Sequence, residues 1–276
     1  MTHPGHQFDA QTLHAATASS PDILRFIEAK APREIHDWNE LGGAEYARAF
    51  TAAKTAGYGV VGDLYEAFLR VTQQGGTEED YARLVLPILR EKGWLADQGG
   101  NIGHRVRLIY DTNLRVARGV GRWQRVQSVA HVMPYLLGST VGDNRVREAH
   151  THFQGIVLPV GHWFWREFWP PMYFMCRCDV IQLTRSQFLK RKLIVTPEAE
   201  VVSRAAMIRP QSWGYNAALE GAKATEAMLL STNENLLPGQ APMIPADAEG
   251  KAAWQRIMGM AVSELLSGLA RALWPL

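Results

Sequence analysis

Apolar positions recur at helical spacing through most of the first 130 residues. Over 19–30, Ile23, Leu24 and Ile27 form a stripe, with Ser20 as N-cap and Pro21 at the first helical position. Pro32 ends it. An Ala-rich stretch predicts a helix over 44–56, closing at Gly57. Val60, Val61, Leu64, Phe68, Leu69 and Val71 predict another over 59–72, stopped by Gly75-Gly76. Thr77 with Asp80 three residues later has the form of a capping box and opens a helix to about Lys92.

The spacing predicts one long helix over 106–133. At about 100° per residue, Val106, Ile109, Val116, Ala117 and Val120 share one side, with Tyr110 at its edge. Arg107, Arg115, Arg118, Arg122 and Arg125 fall within an arc of about 80° elsewhere on the wheel. Asp111 lies in the same arc, four residues from Arg107 and from Arg115, where it can pair with either. Asn113 falls on the apolar side, where an unpartnered amide would cost roughly 1–3 kcal/mol. It is either a structural lock on a neighbouring loop or a direct ligand contact.

After Pro134 the pattern changes. Residues 138–148 read as loop, and β-branched runs at 154–160 and 179–183 predict two strands. Seven aromatic side chains crowd positions 162–174, with Trp165, Phe168 and Trp169 able to share a helical face before Pro170-Pro171. Such a knot is either a small local core or an exposed platform for stacking bases. Beyond the basic cluster at 190–192 comes an Ala-rich segment. Proline-containing 236–247 reads as a linker, and 251–273 predicts an amphipathic terminal helix.

Composition bounds the rest. Of 276 residues, 47% are apolar and 20% charged, enough for a real core. Net charge is only +2, so any basic site must be local. The first 18 residues carry His3, His6, Asp9 and His14 and no apolar run, unlike a signal peptide. The longest uncharged stretches, 126–142 and 149–165, fall short of the ~20 apolar residues a membrane span needs.

No P-loop, nucleophile elbow or paired His-Glu zinc motif is present in the sequence. The chemistry on offer is a His/Cys set: His150, His152, His162, Cys176 and Cys178. Two cysteines one residue apart do not bridge without strain, but both can face one ion, and histidines upstream complete a zinc-type donor set. Buried reduced thiols beside a satisfied histidine are the other reading. Four protein ligands would make the metal structural; an open position at His152 or His162 would be needed for metal-assisted hydrolysis. Arg115, Arg118, Arg122 and Arg125 are candidates for phosphate or acidic-partner contacts, and the cluster Arg185, Lys190, Arg191 and Lys192 could contact phosphates. A solvated helix face, partly neutralised by Asp111, is the alternative for the arc.

An ordered set of short motifs carries more information than any one of them. Tyr110-Asp111-Thr112-Asn113, then Arg115 and Gly121-Arg122, then Asp143-Asn144-Arg145-Val146-Arg147 with His150, then Phe164-Trp165, Pro170-Pro171 and Cys176-Arg177-Cys178, resembles the phage head morphogenesis family of Mu F-like minor head proteins. The likeness covers roughly residues 60–185, and Trp213-Gly214-Tyr215-Asn216 is similar to a motif that follows in such proteins. In one departure, Gly161-His162 stands where an acidic residue is expected before the Phe-Trp pair. The resemblance implies a non-enzymatic virion component of the head interior or portal vertex, present in the host cytoplasm during assembly. It implies docking to portal or major capsid protein and a link to DNA packaging or ejection, with contact to double-stranded DNA in some relatives.

The expectation is therefore a mainly helical α+β protein with a small sheet in its central core. A helical section spans 1–58, a Mu F-like core 59–190 and a tail 191–276. Arg115, Arg118, Arg122 and Arg125 contact DNA or an acidic partner; His150, His162, Cys176 and Cys178 hold a structural zinc; Asn113 and Asp111 act as a lock. A metal-dependent nuclease or hydrolase built on the same cluster is the alternative.

Overall fold

A computed structural model describes residues 21–94 and 102–220. The chain divides into two compact units, Met1–Thr225 and Glu226–Leu276, and every described residue belongs to the first. Ser20, the 236–247 linker and the 251–273 helix lie outside the described residues.

The architecture is mainly helical α+β. The first half holds α1 (Pro21–Glu28), β1 (Ala31–Pro32), α2 (Gly43–Arg48), β2 (Ala49–Phe50), α3 (Val61–Gln73) and α4 (Glu78–Glu91). They precede a rod of 27 residues, α5 (Ile102–Ser128), about 40 Å long. After it come β3 (Tyr135–Ser139), α6 (Glu148–Thr151), β4 (Val157–Pro159), α7 (Phe164–Glu167), β5 (Asp179–Leu183), α8 (Arg185–Lys190) and α9 (Glu198–Ile208). The expected cap on α4 is present: Thr77 Oγ1 accepts from Asp80 N and Asp80 Oδ2 accepts from Thr77 N.

The rod serves two cores. Val106, Ile109, Leu114 and Ala117 pack with α1, α3 and α4, around the ring pairs Phe68–Tyr110 and Tyr81–Tyr110. Val126 packs instead with the sheet, the aromatic knot and α9. Two glycines let other elements touch the rod's backbone. A Cβ at Gly119 would sit 2.7 Å from Pro170 O, and one at Gly121 would sit 2.9 Å from Ile23 Cγ1.

The helix expected over 44–56 is shorter, because a side chain claims its carbonyls. Lys30 Nζ donates to Tyr46 O and Ala49 O, and Ala49-Phe50 leaves the helix to pair in parallel with Ala31-Pro32. Phe50 is then fully buried against Tyr65 and Phe68. The rod likewise ends at Ser128 rather than 133. Gln182 Nε2 on β5 donates to Val126 O and Met133 O, satisfying carbonyls that a helix terminus leaves open.

The sheet has three antiparallel strands in the order β4-β3-β5, with Leu136 opposite Leu158 on one side and Gln182 on the other. Its central strand occupies 135–139, part of which the sequence marks as loop. Gly138 sits there because the chain at Phe153 crosses directly over it: a Cβ would stand 2.5 Å from Phe153 O. Gly138 N donates to Ile156 O and Gly155 N donates to Gly138 O, closing the crossing. The aromatic knot is a local core, with Phe164, Trp165 and Phe168 fully buried. No helix among the described residues is long and apolar enough to cross a membrane.

Candidate metal centre

Three sequence-predicted ligands converge. His150 lies on the short helix α6 and is buried. Cys176 is buried and Cys178 half-buried on the segment that leads from the aromatic knot into β5. Side chains two apart on an extended backbone point the same way, so both sulfurs face His150 while Arg177 turns to the other side. There Arg177 makes a two-pronged pair with Asp143, at 2.7 and 2.6 Å. Arg147, just before α6, donates to Phe174 O at 2.7 Å and lies over the Tyr173 ring. The loop bearing the cysteines is thus fastened at both ends of its turn.

His150 Nδ1 stands 3.6 Å from Cys176 Sγ and 3.6 Å from Cys178 Sγ. All three donor atoms lie within 4.8 Å of one another. Nε2 of the same ring is 2.8 Å from Gln211 O. A carbonyl only accepts, so Nε2 carries the hydrogen and, in the neutral ring, Nδ1 presents its lone pair to the two sulfurs. A tetrahedral ion with bonds of about 2.05 Å to nitrogen and 2.3 Å to sulfur needs an N···S separation of about 3.6 Å. The observed spacing meets that requirement, and a backbone carbonyl on the far ring nitrogen is the usual outer support of a ligating histidine.

The hydrogen bond from the Cys178 thiol, with a smaller contribution from His150, holds Cys176 well below the ordinary thiol range in spite of burial. Cys178 is pushed upward by that same pairing and by burial. Burial works to lower the His150 pKa, but the Cys176 interactions outweigh it and the net shift is upward.

His162 is not brought to this centre. Its Nε2 bonds Glu198 Oε2 at 2.9 Å, its Nδ1 accepts from Phe164 N, and Trp163 Nε1 donates to Glu198 Oε1. These contacts pin the start of α9 to the knot, and they leave three converging ligands, not four, among the described residues.

The arginine arc faces the protein more than solvent. Arg122 pairs with Asp179 and donates to Val180 O at 2.9 Å. Arg115 reaches Cys176 O at 3.5 Å and Asp111 at 3.8 Å. Arg118 is largely withdrawn from solvent, and burial lowers its pKa. Arg125 is exposed. The arc therefore fastens the cysteine segment and β5 to the rod. Asn113 donates to Ile109 O within its own helix rather than to a loop, and it lines a cleft of about 230 Å³ with Trp38, Tyr46, Thr112 and Phe174.

Sequence reasoning missed two supports. The Asp143–Arg177 pair is carried within the motif residues, but nothing in sequence couples positions 34 apart. Gln211 contributes only a carbonyl, which any residue would supply, so no side-chain signal marks it. The later Trp213-Gly214-Tyr215-Asn216 segment straps the knot: Trp213 N donates to Met172 O and Asn216 Nδ2 to Trp165 O.

Residues 63–181, which hold the rod, the sheet, the knot and all three converging ligands, match the family described as Phage Mu protein F like protein. Over that span the chain is similar to Mu F-like proteins. It is 29% identical over 195 residues to the putative capsid assembly protein F of Escherichia phage Mu, covering 66% of this chain and 44% of that protein. It is 28% identical over 181 residues to the Mu-like prophage FluMu F protein of Haemophilus influenzae, covering 62% and 44%. The chain thus spans less than half the length of these relatives. No solved structure matches it. The family match begins two residues into α3 and ends within β5, so it takes in α5 whole and the motifs that fasten it.

Proposed function

We propose that this protein is a minor component of the phage head, acting in head morphogenesis at or near the portal vertex through its Mu F-like core. The observation that carries the reading is the family match over 63–181, coincident with the portion of the fold that clamps the cysteine segment to the rod. The matched relative bears the name of a capsid assembly protein.

The role is structural rather than enzymatic. Asp143, Asp179 and Glu198 are each engaged with Arg177, Arg122 and His162, groups that a hydrolase would aim at a substrate. His150, Cys176 and Cys178 would hold a zinc through three protein ligands; it would supply rigidity by tying α6 to the segment before β5, and its fourth position is what the metalloenzyme alternative would need. Portal or major capsid protein is the partner, with a link to DNA packaging or ejection; the virion is the site of residence. Of the four candidate contact arginines, Arg125 is exposed and available for a phosphate or an acidic neighbour.

Quantitative mass spectrometry of purified mature particles tests this. Retention at low copy number, with crosslinks to portal or its neighbours, is the expected result. A chain present in assembly intermediates and missing from finished particles would reassign it as scaffold. Turnover of DNA or protein by zinc-loaded material would restore the metalloenzyme reading.

A further inference from the structure

One surface is not consumed by the clamps just described. Between Asp179 and Glu198 the chain has no acidic residue, yet it carries Arg185, Lys190, Arg191 and Lys192. All four cations are exposed. The acids at either end are already engaged, Asp179 by Arg122 and Glu198 by His162 and Trp163. Among the same residues Leu189, Ile194 and Val195 are 63%, 76% and 42% exposed.

This is a folded element, not a loose basic run. Thr184 Oγ1 accepts from Gln187 N and Gln187 Oε1 accepts from Thr184 N, capping α8. Phe188 stacks on Tyr135 of β3 at 4.3 Å, seating the helix on the sheet. Lys192 takes a left-handed backbone, φ 52°, and turns the chain back. Thr196 then exchanges two bonds with Val157 of β4, both at 2.9 Å. Held at both ends, the turn presents its aliphatic and cationic side chains outward together.

Single exposed aliphatics need no explanation, but three within seven positions on a pinned turn do. Solvated charge runs have no use for them. A DNA backbone would engage the cations and leave Leu189 and Ile194 in water, since phosphate contacts are polar and electrostatic. A partner that satisfies both components must offer apolar side chains flanked by carboxylates. We propose that residues 185–195 form a docking face for an acidic, amphipathic segment of a protein partner. The aliphatic side chains give contact area and the cations give steering and orientation. The proposal does not depend on zinc at the cysteine centre.

Fluorescence anisotropy with the full-length chain tests it, using three labelled probes: a Glu/Leu amphipathic helical peptide, its Glu-to-Gln analogue, and a short duplex DNA. The acidic peptide is expected to bind, to weaken as salt rises, and to bind at least about tenfold more tightly than the Gln analogue. Two variants separate the components: Leu189→Ser with Ile194→Ser, and Lys190→Glu with Arg191→Glu and Lys192→Glu. Each is expected to lower peptide affinity about tenfold or more, with circular dichroism and melting temperature unchanged because the altered side chains are exposed. Failure of the wild-type chain to bind the peptide overturns the proposal. So does equal peptide binding by the Leu189/Ile194 variant. Preferential binding of duplex DNA, lost only in the charge-reversed variant, reassigns the face to phosphate.

Discussion

Gln211 O accepts from His150 Nε2 at 2.8 Å across 61 positions of sequence, and that bond decides which ring nitrogen meets the sulfurs. With Nδ1 aimed at Cys176 and Cys178, the purified chain is expected to carry about one zinc per molecule. Elemental analysis should show that Cys176→Ser and His150→Ala lose it while His162→Gln keeps it, because His162 is bonded to Glu198 instead. Cobalt substitution should give tetrahedral, thiolate-coordinated spectra, and chelation should lower the melting temperature. A chain that stays metal-free in excess zinc would refute the assignment.

Arg122 is spent inside the molecule, on Asp179 and Val180 O. Its side chain is partly exposed, so the loss on Arg122→Ala is expected to be moderate, about 1–2 kcal/mol in urea unfolding. Affinity for a short DNA duplex should not change. A large fall in DNA affinity with no loss of stability would return this arginine to an external role.

Lys30 is fully buried, and that burial lowers its pKa from 10.5 to about 7. Between those values the unfolded chain binds the proton and the folded chain does not, so stability rises with pH across that window. Wild type should gain roughly 2–4 kcal/mol relative to Lys30→Met on going from about pH 7 to about pH 10. Parallel stability curves for the two proteins would contradict it.

Asp143 behaves oppositely. The Arg177 hydrogen bonds hold its carboxyl well below the usual carboxylate range. A depressed folded pKa gives stability that is present in full above the ordinary carboxylate value and lost as pH falls toward the folded one. Asp143→Asn should therefore be destabilised near neutrality and converge on wild type in strong acid, as followed by thermal melts at a series of pH values.

Gly119 permits backbone contact between the rod and Pro170, with Trp169 Nε1 donating to Gly119 O at 2.8 Å. Gly119→Val has no room and must push the knot away. A loss of about 2–3 kcal/mol is expected, with an altered tryptophan emission spectrum. Normal stability would mean that the contact is looser than the structure shows.

Much of the fold was legible in the sequence because it depends on local patterns. The Thr77–Asp80 cap, the Gly75-Gly76 stop after α3 and the apolar side of α5 all arise from neighbours three or four residues apart. β5 was legible for the same reason, as a short β-branched run. Where the reading failed, a distant group had intervened. Lys30 draws off the carbonyls that would have prolonged α2, Gln182 ends α5, and Gly138 reads as loop until the chain at Phe153 is laid across it. Donor chemistry at the candidate centre was legible in His150, Cys176 and Cys178, but the exclusion of His162 was not, since it follows from Glu198, 36 residues downstream.

Alone, the amino-acid order determined the donor types, the helical periodicity and the motif series, because each is written in residue identity or short spacing. Tertiary structure decided the direction in which the groups point. Arg115 and Arg122 on α5 turn inward because β5 and the cysteine segment supply carbonyls and Asp179 there. The basic turn at 185–195 faces outward only because Phe188 and Thr196 are held on the sheet. Orientation of this kind rests on contacts between residues far apart in sequence, and no local pattern records them.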